Sequence, residues 1–133
     1  MYSKEEKLSL LSEMIEFAKA DNVIKDEEYN FILVVASQLG ITEEEIGYLV
    51  RNSAEKKNLK SEPQRILQFH RLVLLMNVDQ EASKVEIQKI KEMGLHMGLR
   101  REAIDSVLKE MHKYPNKVIP PQELLNIFTR FYN

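Results

Sequence analysis

Two carboxylate pairs with one internal spacing are the residues best suited to chemistry. Asp21 and Glu28 lie seven positions apart, Asp79 and Glu86 repeat that interval, and 58 positions separate the pairs. Carboxylates gathered without His or Cys are hard oxygen ligands, suited to a divalent cation such as Ca²⁺, Mg²⁺ or Mn²⁺. The same acids also read as helix caps. Glu86 follows Ser83 at the distance of a capping box, whereas Glu28 follows Lys25, which has no hydroxyl to offer. Acids are favourable in any first helical turn, so Glu28 has a reason to be there without a metal. Asp21 and Asp79 end helices, where an acid opposes the macrodipole. They can instead accept the free N–H groups of the helix that follows. Cation binding and capping therefore compete, and capping explains least at Asp21 with Glu28.

The elements that must position these acids recur at the same offset. Ser3, Gly40, Glu44 and Ile46 return as Ser61, Gly98, Glu102 and Ile104. The stripe Leu8, Leu11, Ile15, Ala18 returns as Ile66, Phe69, Val73, Met76, a spacing that puts all four on one helix face. The next stripe, Tyr29, Ile32, Ala36, Leu39, returns as Ile87, Ile90, Gly94, Met97, each followed by a glycine able to stop a helix. Ser3 with Glu6, Ser61 with Gln64 and Thr42 with Glu45 have capping-box spacing, while Arg100 stands where the second half needs its third cap. Ile41 with Ile46 and Leu99 with Ile104 have the spacing of hydrophobic staples.

These patterns predict an all-α chain, one domain over 1–133. Its two three-helix halves span 3–57 and 61–115, joined by a linker over 58–63, and a seventh helix over 121–132 covers surface the halves leave open. Ile15, Ile32, Leu39, Val73, Ile90 and Met97 are expected in the core. Met76, Met93, Met97 and Met111 read as core filler. A pseudo-twofold relation between the halves would bring the four carboxylates to one surface.

Composition narrows the class. The chain has 133 residues, 44% of them hydrophobic, and no cysteine, which excludes disulfides, thiolate metal sites and cysteine nucleophiles. The N-terminus lacks the build of a signal peptide and no apolar run is long enough to span a bilayer, so a cytoplasmic protein without a membrane partner is expected. Net charge is only −2, and no basic run with interleaved aromatics points to nucleic acid. His70, His96 and His112 are scattered, with no Glu three positions before any of them, and Ile32 occupies the twelfth position of an EF-hand register begun at Asp21. Phosphate-binding loops and hydrolase motifs are missing, and no catalytic residue is assigned.

The set Asp21, Ile24, Glu28 and Leu39-Gly40, echoed by Asp79, Glu86 and Met97-Gly98, resembles the tellurite-resistance TerB-like domain family over roughly residues 5–112. Asn22 and Gln80 stand where that family usually has glycine, Ala82 replaces its hydrophobic anchor, and Lys84 adds a positive charge beside the second pair. The resemblance implies an all-helical fold, an acidic surface able to take a divalent cation, and a place in bacterial stress or chemical resistance. It also implies a protein partner, because related domains occur joined to other modules.

Overall fold

A computed structural model describes residues 2–79 and 82–131, apart from the side chain of Asp21. Seven α-helices follow in order among the described residues: α1 (Lys4–Ala18), α2 (Asp26–Gln38), α3 (Glu43–Arg51), α4 (Glu62–Met76), α5 (Lys84–His96), α6 (Arg101–Glu110) and α7 (Pro121–Thr129). Short 3₁₀ turns cover Lys19–Asp21, Met111–Lys113 and Pro115–Lys117. None of these helices is long and apolar enough to cross a membrane.

The helix starts are set by side-chain caps. Ser3 and Glu6 exchange bonds with each other's backbone N–H at 3.1 and 2.8 Å, and Thr42 with Glu45 does the same at 3.1 and 3.0 Å. Ser61 accepts the Gln64 N–H at 3.3 Å, but Gln64 does not complete the expected box. Arg100 supplies no side-chain cap. The stops are backbone devices. Gly40 and Gly98 take φ of 75° and 79°, and just beyond them Ile41 and Leu99 donate back to the carbonyls of Ala36 and Gly94 at 2.8 and 3.1 Å.

The central helices are α1 and α4, which pack on each other and on most of the remainder. Each buries more than one face. In α1, Leu10, Met14 and Phe17 are buried beside the expected Leu11, Ile15 and Ala18, and in α4 Leu72 and Leu75 join Ile66, Phe69, Val73 and Met76. Outer helices close the core: α2 and α3 lie on α1, α5 lies on α4, and α7 packs against α4 and α6. The Phe128 ring of α7 meets Phe69 edge-on, 6.2 Å between centroids, so the C-terminal helix covers the second central helix.

Two expected core residues sit at the rim. Leu39 and Met97 are only half-buried, because each is the C-cap where the chain turns away at the glycine. Ile41 and Leu99, after that turn, point back inside at 5% and 4% exposure. The linker also lies earlier than expected. It runs from the end of α3 at Arg51 to Ser61, since Glu62 and Pro63 already form the first turn of α4.

Candidate functional site

The acidic site is built at the starts of α2 and α5. Glu28 and Glu86 are the third residues of their helices and are nearly sealed from solvent, at 2% and 3% exposure. Each turns one oxygen back to the chain that enters the helix. Glu28 Oε1 accepts the Lys25 N–H at 3.0 Å, and Glu86 Oε1 accepts the Ser83 N–H at 3.0 Å. Ser83 returns the favour through its hydroxyl at 3.1 Å, whereas Lys25 has no acceptor on its side chain and half of the box is missing. Glu28 is therefore a capping carboxylate as well, and the sequence alone understated capping there.

Lys25 contributes something else. Its ammonium crosses to the second acidic loop, where Nζ lies 2.5 Å from Asp79 Oδ2, and the Asp79 side chain is only 13% exposed. That hydrogen bond raises the lysine pKa, against a smaller opposing effect of desolvation, and the charges of Asp79, Glu86 and Glu28 all act in the same direction. Glu28 feels the reverse side of this crowding. Burial pushes its carboxyl up most, the bond from Lys25 pulls it down, and the nearby Glu86 and Asp79 push it up again.

Of the four expected site residues, Glu28, Asp79 and Glu86 share one neighbourhood around the Lys25 ammonium. The side chain of Asp21 lies outside the described ones. Its backbone ends the 3₁₀ turn that continues α1 and packs on α5, and the next residue, Asn22, takes the left-handed φ of 69°. Asn tolerates that conformation where most residues do not. Gln80, at the matching position, lies outside the described residues. Among the described residues no group of three or more His, Asp or Glu side chains is arranged to hold a metal ion. Glu28 and Glu86 spend oxygens on caps, and Asp79 faces an ammonium.

Lys25 is the residue of this cluster that sequence reasoning missed. A signal was present, a lysine where the other half has a capping serine. Its partner lies 54 positions away, and nothing local announces such a contact. The positive ends of α2 and α5 add to the lysine charge, each worth roughly half an elementary charge at a helix N-terminus. Among the described residues, Lys25 and the N-termini of α2 and α5 thus set positive charge against these carboxylates. Comparison with protein-family models, with curated proteins and with solved structures gives no match.

Proposed function

We propose that the chain is a TerB-like helical module made of two related three-helix halves, in which Lys25 supplies the positive charge a bound cation would bring. Its function is then to contact another protein, without catalysis, in a cytoplasmic stress or chemical-resistance setting. The carrying observation is the Lys25 ammonium 2.5 Å from Asp79, among the charges of Glu28 and Glu86. The paired halves draw support from helix starts at Lys4 and Glu62, Asp26 and Lys84, and Glu43 and Arg101, each pair at the offset of the sequence repeat. Further support comes from the packing of α1 on α5 and of α2 on α4, which a twofold relation would interchange. The protein partner and the biological setting rest on the family resemblance. Val23 and Val85, at 66% and 56% exposure, flank the acidic residues in the chain and offer apolar surface for contact.

The test is thermal unfolding of the wild type and of Lys25→Met with and without Ca²⁺, Mg²⁺ or Mn²⁺. A ligand that binds only the folded state raises stability by about 2.7 kcal/mol at a hundred times its dissociation constant. The wild-type midpoint is expected to ignore all three ions. A clear upward shift would return the function to cation binding through Asp21, Glu28, Asp79 and Glu86. One observation favours that second reading: the Lys25 ammonium lies among the charges of Asp79, Glu86 and Glu28, so a divalent ion displacing it would meet carboxylate oxygens.

A further inference from the structure

Several hollows of about 260 to 380 Å³ mark the surface. Two adjoining ones, of about 260 and 370 Å³, run beneath the linker between α1, the start of α4 and the end of α5. They share Ser9, Glu13, Lys56 and His96, and none of Lys25, Glu28, Asp79 or Glu86 lines either. Glu86 and Glu92 stand six residues apart on α5, which separates the two places by about 9 Å along that helix. Small-molecule sites typically enclose roughly 300–1,000 Å³, so the joined groove has the size of one.

The walls are fixed by the fold. Ser9 and Ser12 of α1 accept the Lys57 and Ala54 N–H groups at 2.9 and 2.8 Å, which straps the linker over the helix. The buried Gln68 of α4 donates to the Leu10 carbonyl at 3.1 Å and to Glu13 Oε1 at 2.9 Å, which sets the glutamate's position. Arg65 Nη1 donates to the carbonyls of Leu59 and Lys60 at 2.9 Å each, so its guanidinium is anchored in the wall. The Arg65 Nε–H has no partner among the described residues.

Charge is divided along this groove. At the end nearer the middle of α5, Glu16 and Glu92 face one base, Lys89, and at the other end Arg65 is held by backbone carbonyls while Lys57 already pairs with Glu5 and Glu55 at 3.7 and 3.6 Å. Glu13 and Lys56 lie where the two ends meet. Burial raises the pKa of Glu13, the Gln68 bond and the Lys56 charge offset this only in part, and the Glu16 charge raises it further.

We propose that this groove binds a short zwitterion, an amino acid or a di- or tripeptide, with its ammonium at Glu13, Glu16 and Glu92 and its carboxylate at Arg65 and Lys56. Such a ligand brings to each end the charge it lacks. A simple anion would meet Glu13 unfavourably, and a simple cation would leave the Arg65 end unanswered. The inference is independent of the role given to Lys25.

The experiment titrates the full chain, labelled with ¹⁵N, using glycylglycine and triglycine as zwitterions, N-acetylglycine as the anion alone and glycinamide as the cation alone. Amide resonances of residues 9–16, 53–59 and 89–98 are expected to move with at least one of the peptides. N-acetylglycine and glycinamide should each bind about tenfold more weakly, the loss expected when one charge contact is missing. Glu13→Gln and Arg65→Gln should weaken peptide binding by about the same factor. Lys56→Gln and Glu92→Gln alter exposed side chains, and they test the same two ends should the half-buried variants fail to fold. No movement at about 10 mM of either peptide, a concentration that would reveal even a millimolar site, overturns the proposal. Equal binding of either single-charge probe, or peptide binding indifferent to the Lys56 and Glu92 changes, overturns it too.

Discussion

The ammonium of Lys25 meets the carboxylate of Asp79, 54 positions further along the chain, at 2.5 Å. This contact ties the entrance of α2 to the turn after α4, and it holds Lys25 charged beyond its ordinary range. A lysine whose folded pKa is raised contributes its full stabilisation below the unfolded pKa, so all of it is present at neutral pH. Lys25 is 39% exposed on its side chain and Asp79 13%, between a surface pair and a buried one. Lys25→Met is therefore expected to cost about 1–2 kcal/mol, above the ~0.2–1 of exposed pairs and below the ~3–5 of broken buried pairs. Urea unfolding of Lys25→Met, Asp79→Asn and the double variant measures it. Strict additivity of the two changes would remove the pair from the stability of the fold.

A second expectation concerns glycine. Gly94 occupies in α5 the place of Ala36 in α2, and a Cβ there would stand 2.7 Å from Ile104 Cδ1 and 3.0 Å from Phe69 Cε1. Both neighbours are almost wholly buried, at 1% and 0% exposure. Alanine gains about 1 kcal/mol of helix propensity, while overpacking of a filled core costs about 1–3 kcal/mol. Gly94→Ala should be neutral to destabilising by up to about 2 kcal/mol. Gly47, inside α3, has nothing within 4 Å of such a Cβ, so Gly47→Ala should stabilise by about 0.5–1 kcal/mol. Chemical denaturation of both variants decides it, and a Gly94→Ala protein as much improved as Gly47→Ala would mean that the α5–α6 contact is loose.

The third expectation tests the division between core and rim. Ile32 and Ile90 are fully buried at equivalent places in α2 and α5. Their replacement by Ala should cost about 2–5 kcal/mol each. Leu39→Ala and Met97→Ala should cost less, since each side chain keeps part of its surface in water at the helix stop. Reversal of that order in urea unfolding would show that the stops, rather than the stripes, carry the packing.

Much of this was legible from residue types, and the reason is that the signals were local. Capping pairs such as Thr42 with Glu45 and stops such as Gly40 act within a few residues, so spacing alone places them. Stripes of spacing three and four identified one buried face of α1 and α4. They could not say that these helices are central and buried on other sides as well, because that depends on which helices cover Leu10, Phe17 or Leu72. The candidate site was legible as a set of acids and hidden as a balance of charge. Glu28 and Glu86 come together only through the packing of the helices that carry them. The ammonium that answers them belongs to a residue whose sequence position suggested only a poor cap. The groove beneath the linker left no local signal, since its charges come from α1, α4, α5 and the linker together.

His70 gives an expectation in pH. It is 9% exposed in α4, its Nε2 is buried without a partner among the described residues, and burial holds its pKa below the ordinary histidine value. A hydrogen bond to the Ile119 backbone works against burial, and the nearby Arg71 charge works with it. The unfolded chain therefore takes up this proton at a higher pH than the folded one, about 6.5 for an unperturbed imidazole. Stability from neutral His70 is complete above that value and is lost as pH falls from it through the folded pKa. Glu13 and Glu28 have the opposite sign. Their raised pKa values mean that the folded state binds protons more readily, so acidification relieves a cost within their own, lower window. Subtracting His70→Gln from the wild type cancels the carboxylates and leaves the imidazole. Unfolding free energies from about pH 7.5 down to about 5.5 should show the wild type losing ground to the variant as the histidine of the unfolded chain becomes charged. A difference that stays constant across that range would place a freely charged, solvated imidazole at position 70.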